Sequence, residues 1–170
     1  MSSTDTRPEP PLQADERTML AGWLDYHRAT LLLKCEGLDG DQLVTKSVPP
    51  STMTLLGLVR HMTLVEWWWF EHIFAGGSSP EPFADPDDPD ADFNALDPRV
   101  AEANLRGFRE QCDHSRQLVS AAESLDALST GTERATRDLR WIVTHMIEEY
   151  ARHNGHADLL RECIDGTVGE

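Results

Sequence analysis

Close to its C-terminal end the chain carries WIVTHMIEEYARHNGHADLL, which sets His145, Glu149, His153 and His156 within about three turns of a helix. Imidazole nitrogens and carboxylate oxygens are the donors of divalent transition-metal sites. Residues four apart lie about 40° from each other around a helix, so His145, Glu149 and His153 form a rising ladder and His156 falls back between them. Ile142, Met146, Leu159 and Leu160 share the same arc, which marks it as the core-facing stripe. A carboxylate and several imidazoles are costly to bury unpaired, and one bound metal ion satisfies them together.

A second donor lies in TLLGLVRHMTLVEWWWFEH. Leu58, Val65 and Trp68 fall within about 60° of His61 around the axis, so this imidazole also points into an apolar face. Two donors one turn apart on one helix, with a third from a facing helix, make an open three-ligand site whose fourth position is left for water or substrate. The Trp67, Trp68, Trp69, Phe70 run covers nearly a full turn, so only part of it faces the site, and Trp68 is placed as a wall. His27 lies on the first helix within range of the site, with a packing role as the alternative. His72 and His114 form no constellation. Arg134, Arg137 and Arg140 precede or open the last helix, where they either attract an anionic cofactor or are simply solvated.

Four helices must position these groups. The first is expected from Leu12 to Glu36, ended by Gly37 and Gly40, and the second from a Thr52 or Thr54 cap to Ala75, stopped by Gly76 and Gly77. The third starts at Asp97–Pro98 and runs to Ala122. The fourth follows GTERATRD and ends near Gly166. Between the second and third helices SSPEPFADPDDPDADFNALDP opposes regular structure through its prolines and acidic residues, and Phe83 and Phe93 are its candidate anchors. The expected architecture is an all-α four-helix bundle with one long irregular connection between the second and third helices. Residues 1–11 form a mobile tail, 12–166 a single domain and 167–170 a short C-terminal tail.

Composition narrows the function. The chain has 170 residues and a formal net charge of −15, a field that repels phosphate backbones and argues against nucleic acid. No apolar run is long enough to span a bilayer and no signal peptide is legible, so a cytoplasmic protein without membrane contact is expected. Cys35, Cys112 and Cys163 lack CxxC spacing and are read as reduced, structural thiols.

The helix order, the TLLGLVRHM block with His61 and the EEYARHNGHADLLRE block together resemble the DinB-like superfamily of bundle metalloproteins, closest to the actinobacterial mini-circle branch. That resemblance implies one divalent metal held by a histidine of the second helix and two residues one turn apart on the fourth, positions occupied here by His61, Glu149 and His153. Many relatives have histidine where this chain has Glu149; the resulting set is similar to that of mycothiol-dependent maleylpyruvate isomerases. His145 and His156 then fall to the pocket wall or to orienting a ligand, and Glu148 turns away from the core.

Zinc is the first choice of ion and nickel the second. The resemblance further implies a low-molecular-weight thiol of the mycothiol type, activated for attack on an electrophile by a metal-dependent S-transferase or thiol-assisted isomerase. Its partners are then small molecules, with a homodimer allowed by the tryptophan-rich face. A metal-dependent hydrolase and a non-enzymatic metal-binding stress protein stay open as alternatives. A di-iron bundle is disfavoured, because repeated Glu-x-x-His motifs are absent.

Overall fold

Three of the long helices begin where a short polar side chain can satisfy the unpaired amides of a first turn. Asp15 accepts from the Thr18 amide, Thr54 from Gly57 and Asp138 from Trp141. These caps open α1 (Glu16–Cys35), α3 (Leu55–Glu66) and α5 (Leu139–Asp165) in a computed structural model that describes residues 7–94, 96–132 and 135–169. A one-turn helix, α2 (Gly40–Leu43), carries a reciprocal Asp39–Gln42 capping box, and α4 spans Ala101–Ala121. The first helix thus starts four residues later than its apolar pattern suggests. Asp15 caps it there, and Leu12 is left exposed. Gly37 follows α1 with φ +76°, whereas Gly40 opens α2 rather than ending α1. Asp97 caps a 3₁₀ turn, Pro98–Val100, that leads into α4.

The molecule is all-α, and among the described residues its β content is one isolated bridge between Leu128 and Asp138. No described helix is long and apolar enough to cross a membrane. Of the expected N-terminal tail, residues 1–6 lie outside the described residues. Arg7 donates to Thr30 Oγ1 and lies over the Tyr26 ring, so the segment that follows rests on α1.

Helix α3 is the centre of the bundle. Leu55, Leu56, Leu58, Val59 and Met62 are fully buried, each contributing about 1.5–3 kcal/mol of burial. Its largest neighbour is α4, while α1 lies along α5, and α3–α5 contacts join the two pairs. Past Glu66 the helix widens into a π segment, Trp67–Phe74, ended at Ala75 and by Gly76 at φ +66°. The loop before α5 crosses this end, with Gly131 donating to the Ile73 carbonyl. A Cβ at Gly131 would stand 2.6 Å from the His72 carbonyl oxygen, so the crossing requires glycine.

One polar cluster lies inside the core and draws on all four long helices. Arg28 of α1 makes a two-pronged pair with Glu66 of α3, at 2.8 and 2.7 Å. Tyr150 of α5 donates to the same carboxylate at 2.8 Å, and Cys112 of α4 stands 3.8 Å from the phenol oxygen. Burial opposes charge on Arg28, but Glu66 more than offsets it and holds the guanidinium well above its ordinary range. Burial pushes the Tyr150 phenol and the Cys112 thiol up, so both keep their protons. Cys35 is likewise pushed up to about 12 by burial, and of the three free thiols Cys163 is the exposed one.

Candidate metal centre

The buried stripe of α5 is Leu139, Ile142, Val143, Met146, Tyr150, Asn154, Ala157 and Leu160. The donor ladder therefore runs along the shoulder of that stripe rather than down its middle. Leu159, expected in the core, is 55 % exposed because it falls further round the helix than the donors, past the same edge of the stripe. The shoulder faces α3, and the donors meet in the α3–α5 seam.

His61 comes from α3, and Glu149 and His153 come from α5. One donor atom from each lies within 4.8 Å of the other two. Glu149 Oε2 is 3.5 Å from His153 Nε2, and the His61 and His153 rings are centred 4.8 Å apart at 63°. Tetrahedral bonds of about 2.0–2.1 Å place neighbouring donors about 3.4 Å apart, so the Glu149–His153 pair already has that separation. Side-chain exposures of 22 %, 18 % and 12 % for His61, Glu149 and His153 describe a site sheltered from water but open on one side.

Each of the three has a neighbour that orients it. With its proton on Nδ1, His61 donates to Asp92 Oδ2 at 2.8 Å and leaves Nε2 free, while Phe93 stacks on the ring at 4.5 Å and 26°. His153 Nδ1 is 3.5 Å from His156 Nδ1. Burial above all, with His61, His156 and Arg152 adding to it, lowers His153 to about 4, which keeps its imidazole neutral and its lone pair available near neutral pH. His145 places Nε2 at 3.6 Å from Glu149 Oε1 and Nδ1 at 3.6 Å from Glu148 Oε2. Glu148 is half exposed and paired with Arg152.

His145 is itself clamped. Trp141, one turn earlier, stacks on it at 4.9 Å and 22°, and Trp69 meets it edge-on at 4.9 Å. Arg137 lies 4.7 Å over the other side of this stack, on Trp141. The indole brought to His145 is thus Trp69, whereas Trp68 lies against His72 and Trp67. A π segment turns less per residue than an α-helix, and this alters the phase that an α-helical reading assigns to the tryptophan run. Arg140 is held by Glu16 and Asp126, so it is not free to attract a cofactor, and Arg134 lies outside the described residues. His27 meets Asn154 in the α1–α5 seam, with the Asn154 amide donating to the His27 carbonyl.

Asp92 and Trp69 were missed by sequence reasoning. Asp92 is one of many acidic residues in a connection without periodicity, and the only signal beside it was Phe93, correctly read as an anchor.

The donor set suits a divalent ion: two imidazoles held in orientation and one carboxylate, arranged on a one-turn pair and a facing helix. The structure thus defines a class, an all-α bundle with an open His–Glu–His seam between α3 and α5. Residues 19–166 match the family model described as mycothiol-S-transferase, and the chain belongs to that family, a member of the DinB-like superfamily. No curated protein matches the chain.

Proposed function

We propose that this protein is a divalent-metal-dependent transferase that joins a low-molecular-weight thiol of the mycothiol type to an electrophile. The observation that carries this reading is the convergence of His61, Glu149 and His153 on one half-buried seam, in a chain of the mycothiol-S-transferase family. A divalent ion bound there supplies Lewis acidity that lowers the pKa of a thiol, so that thiolate is available near neutral pH. The neutral imidazoles of His61 and His153 and the single charge of Glu149 leave such a site with net positive charge. Three protein donors leave the open side for the thiol sulfur. Asp92 holds His61 by a hydrogen bond, His156 and His145 stand beside His153 and Glu149, and Trp69 with Trp141 packs on His145. Zinc is the ion this set favours first and nickel second. In the overall reaction the thiol loses its proton, a carbon–sulfur bond forms and the leaving group departs from the electrophile. The partners are small molecules, met in the cytosol.

The test begins with metal content of untagged protein, wild type against His61→Ala, after loading with zinc. Near-stoichiometric metal in the wild type and its loss in the variant are expected; equal retention in both would remove the three-donor site. Loaded protein is then given mycothiol and monochlorobimane. Conjugation no faster than with the metal-free protein would sink the transferase reading, and turnover of an ester without thiol would point to a hydrolase.

A further inference from the structure

The connection between α3 and α4 is gripped by two consecutive residues of α3, and one of them is a donor of the seam. Arg60 is 8 % exposed, donates to the Ala91 carbonyl at 2.7 Å and lies 4.4 Å over the Phe83 ring. His61, next in sequence, meets Asp92 at 2.8 Å and Phe93 at 4.5 Å. Asp92 serves both grips: burial works against charge on Arg60, and the Asp92 carboxylate supports it. Between these anchor points the described residues fold back through short turns, with Asp85 accepting from the Asp87 amide and Asp88 from the Asp90 amide and the Asn94 side chain, while Trp67 Nε1 donates to Ser79 Oγ at 2.8 Å where the connection starts. The part of it beside His61 is therefore set by these two grips.

Resting on the metal reading above, we propose that residues 77–94 form a wall latched to α3 by Arg60 and Asp92, and that docking of this wall and ion binding at His61 reinforce each other. The coupling follows from imidazole chemistry. An ion on Nε2 requires the proton on Nδ1, and that is the tautomer able to donate to Asp92. The opposite tautomer turns a lone pair toward the carboxylate and loosens the wall. Asp92, docked, in turn holds His61 in the tautomer and orientation that accept an ion. Asp92 is thus a positioning residue, and Arg60 positions Asp92 and the segment that carries it. Linkage makes the effect reciprocal, so the factor by which docking raises ion affinity is the factor by which the ion suppresses undocking. An outer partner of a metal-bound histidine typically accounts for about 10–100-fold in affinity.

The test uses the full, untagged chain with zinc as the probe. Zinc affinity is measured by competition with a chromophoric chelator, and amide hydrogen exchange over residues 77–94 is followed with and without zinc. Zinc is expected to slow exchange in this segment. Asp92→Asn is expected to weaken zinc binding by about tenfold or more, and Arg60→Ala several-fold although Arg60 is no ligand, with faster exchange of the connection in both. Should Arg60→Ala fail to fold, Phe83→Ala removes the other half of the same grip. If wild type binds zinc while exchange is unchanged, or both variants bind as tightly as wild type, the latch is overturned and the metal site stands. If wild type binds no zinc, or binds it no more tightly than His61→Ala, the two fall together.

Discussion

Glu149 and Tyr150 are consecutive residues of α5, yet they serve different polar clusters. Tyr150 turns inward to the Arg28–Glu66 pair, where every charge has its partner inside the protein. Glu149 turns to the seam, where its oxygens face His145 and His153 at 3.6 and 3.5 Å, beyond good hydrogen-bond length. The inner cluster is closed and saturated. The outer one brings donor atoms of His61, Glu149 and His153 within 4.8 Å of one another, with Arg152 at 3.8 Å from Glu149 on its exposed side. Burial explains the division: Glu66 has no exposure and must be satisfied by the fold, whereas Glu149 retains access to water and can wait for a ligand.

This contrast can be broken at several points. The largest effect is expected for Glu66→Gln, which removes the buried carboxylate facing Arg28 and leaves that guanidinium only its half-buried partner Asp25, at 3.0 Å. A loss of about 3–5 kcal/mol in urea unfolding is expected, and pairing it with Arg28→Met should recover part of that loss. A single variant as stable as wild type would show that the inner cluster is not closed. Tyr150→Phe removes one hydrogen bond to a carboxylate and should cost about 1.5–3 kcal/mol in the same measurement.

In the outer cluster, acidity supplies the probe. His153 is held at about 4 in the fold against 6.5 when free, so between those values the unfolded chain binds the proton more readily. Its contribution to stability is therefore complete above about pH 6.5 and is lost as pH falls toward 4, with no further change from this group below. Urea midpoints in the presence of a chelator should fall more steeply across that window for wild type than for His153→Gln; parallel curves would refute it. Smallest of all, Glu149→Gln should change metal-free stability by less than about 1 kcal/mol while zinc binding is lost. A large destabilisation would mean that the seam is a structural cluster like the inner one.

Much of the outer site was legible because its donors sit on helical periodicity. Glu149 and His153 are one turn apart on a helix with a clear cap and stop, and His61 lies among apolar neighbours on another. Asp92 was illegible because its partner is set by where an irregular segment comes to rest. The inner cluster was hidden for a different reason: it takes one residue from each of four helices, so each helix shows a lone Arg, Glu, Cys or Tyr that reads as ordinary. Helices α1, α3 and α5 were legible from caps and glycine stops, and α4 from the Asp97–Pro98 turn that leads into it. The start of α1, the single turn of α2 and the widening at Trp67 depended on local capping and on the crossing loop, which leave little trace in hydrophobic spacing.

The connection that carries Asp92 has a consequence for traffic to the seam. Between residues 77 and 97 it holds seven Asp and Glu and no Lys or Arg, in a chain already at −15. Cations diffusing toward His61 are drawn in by this field and anions are slowed, both less so as ionic strength rises. A divalent cation thus has the faster approach and an anionic molecule the slower one. The order of arrival is biased by charge before any donor is touched.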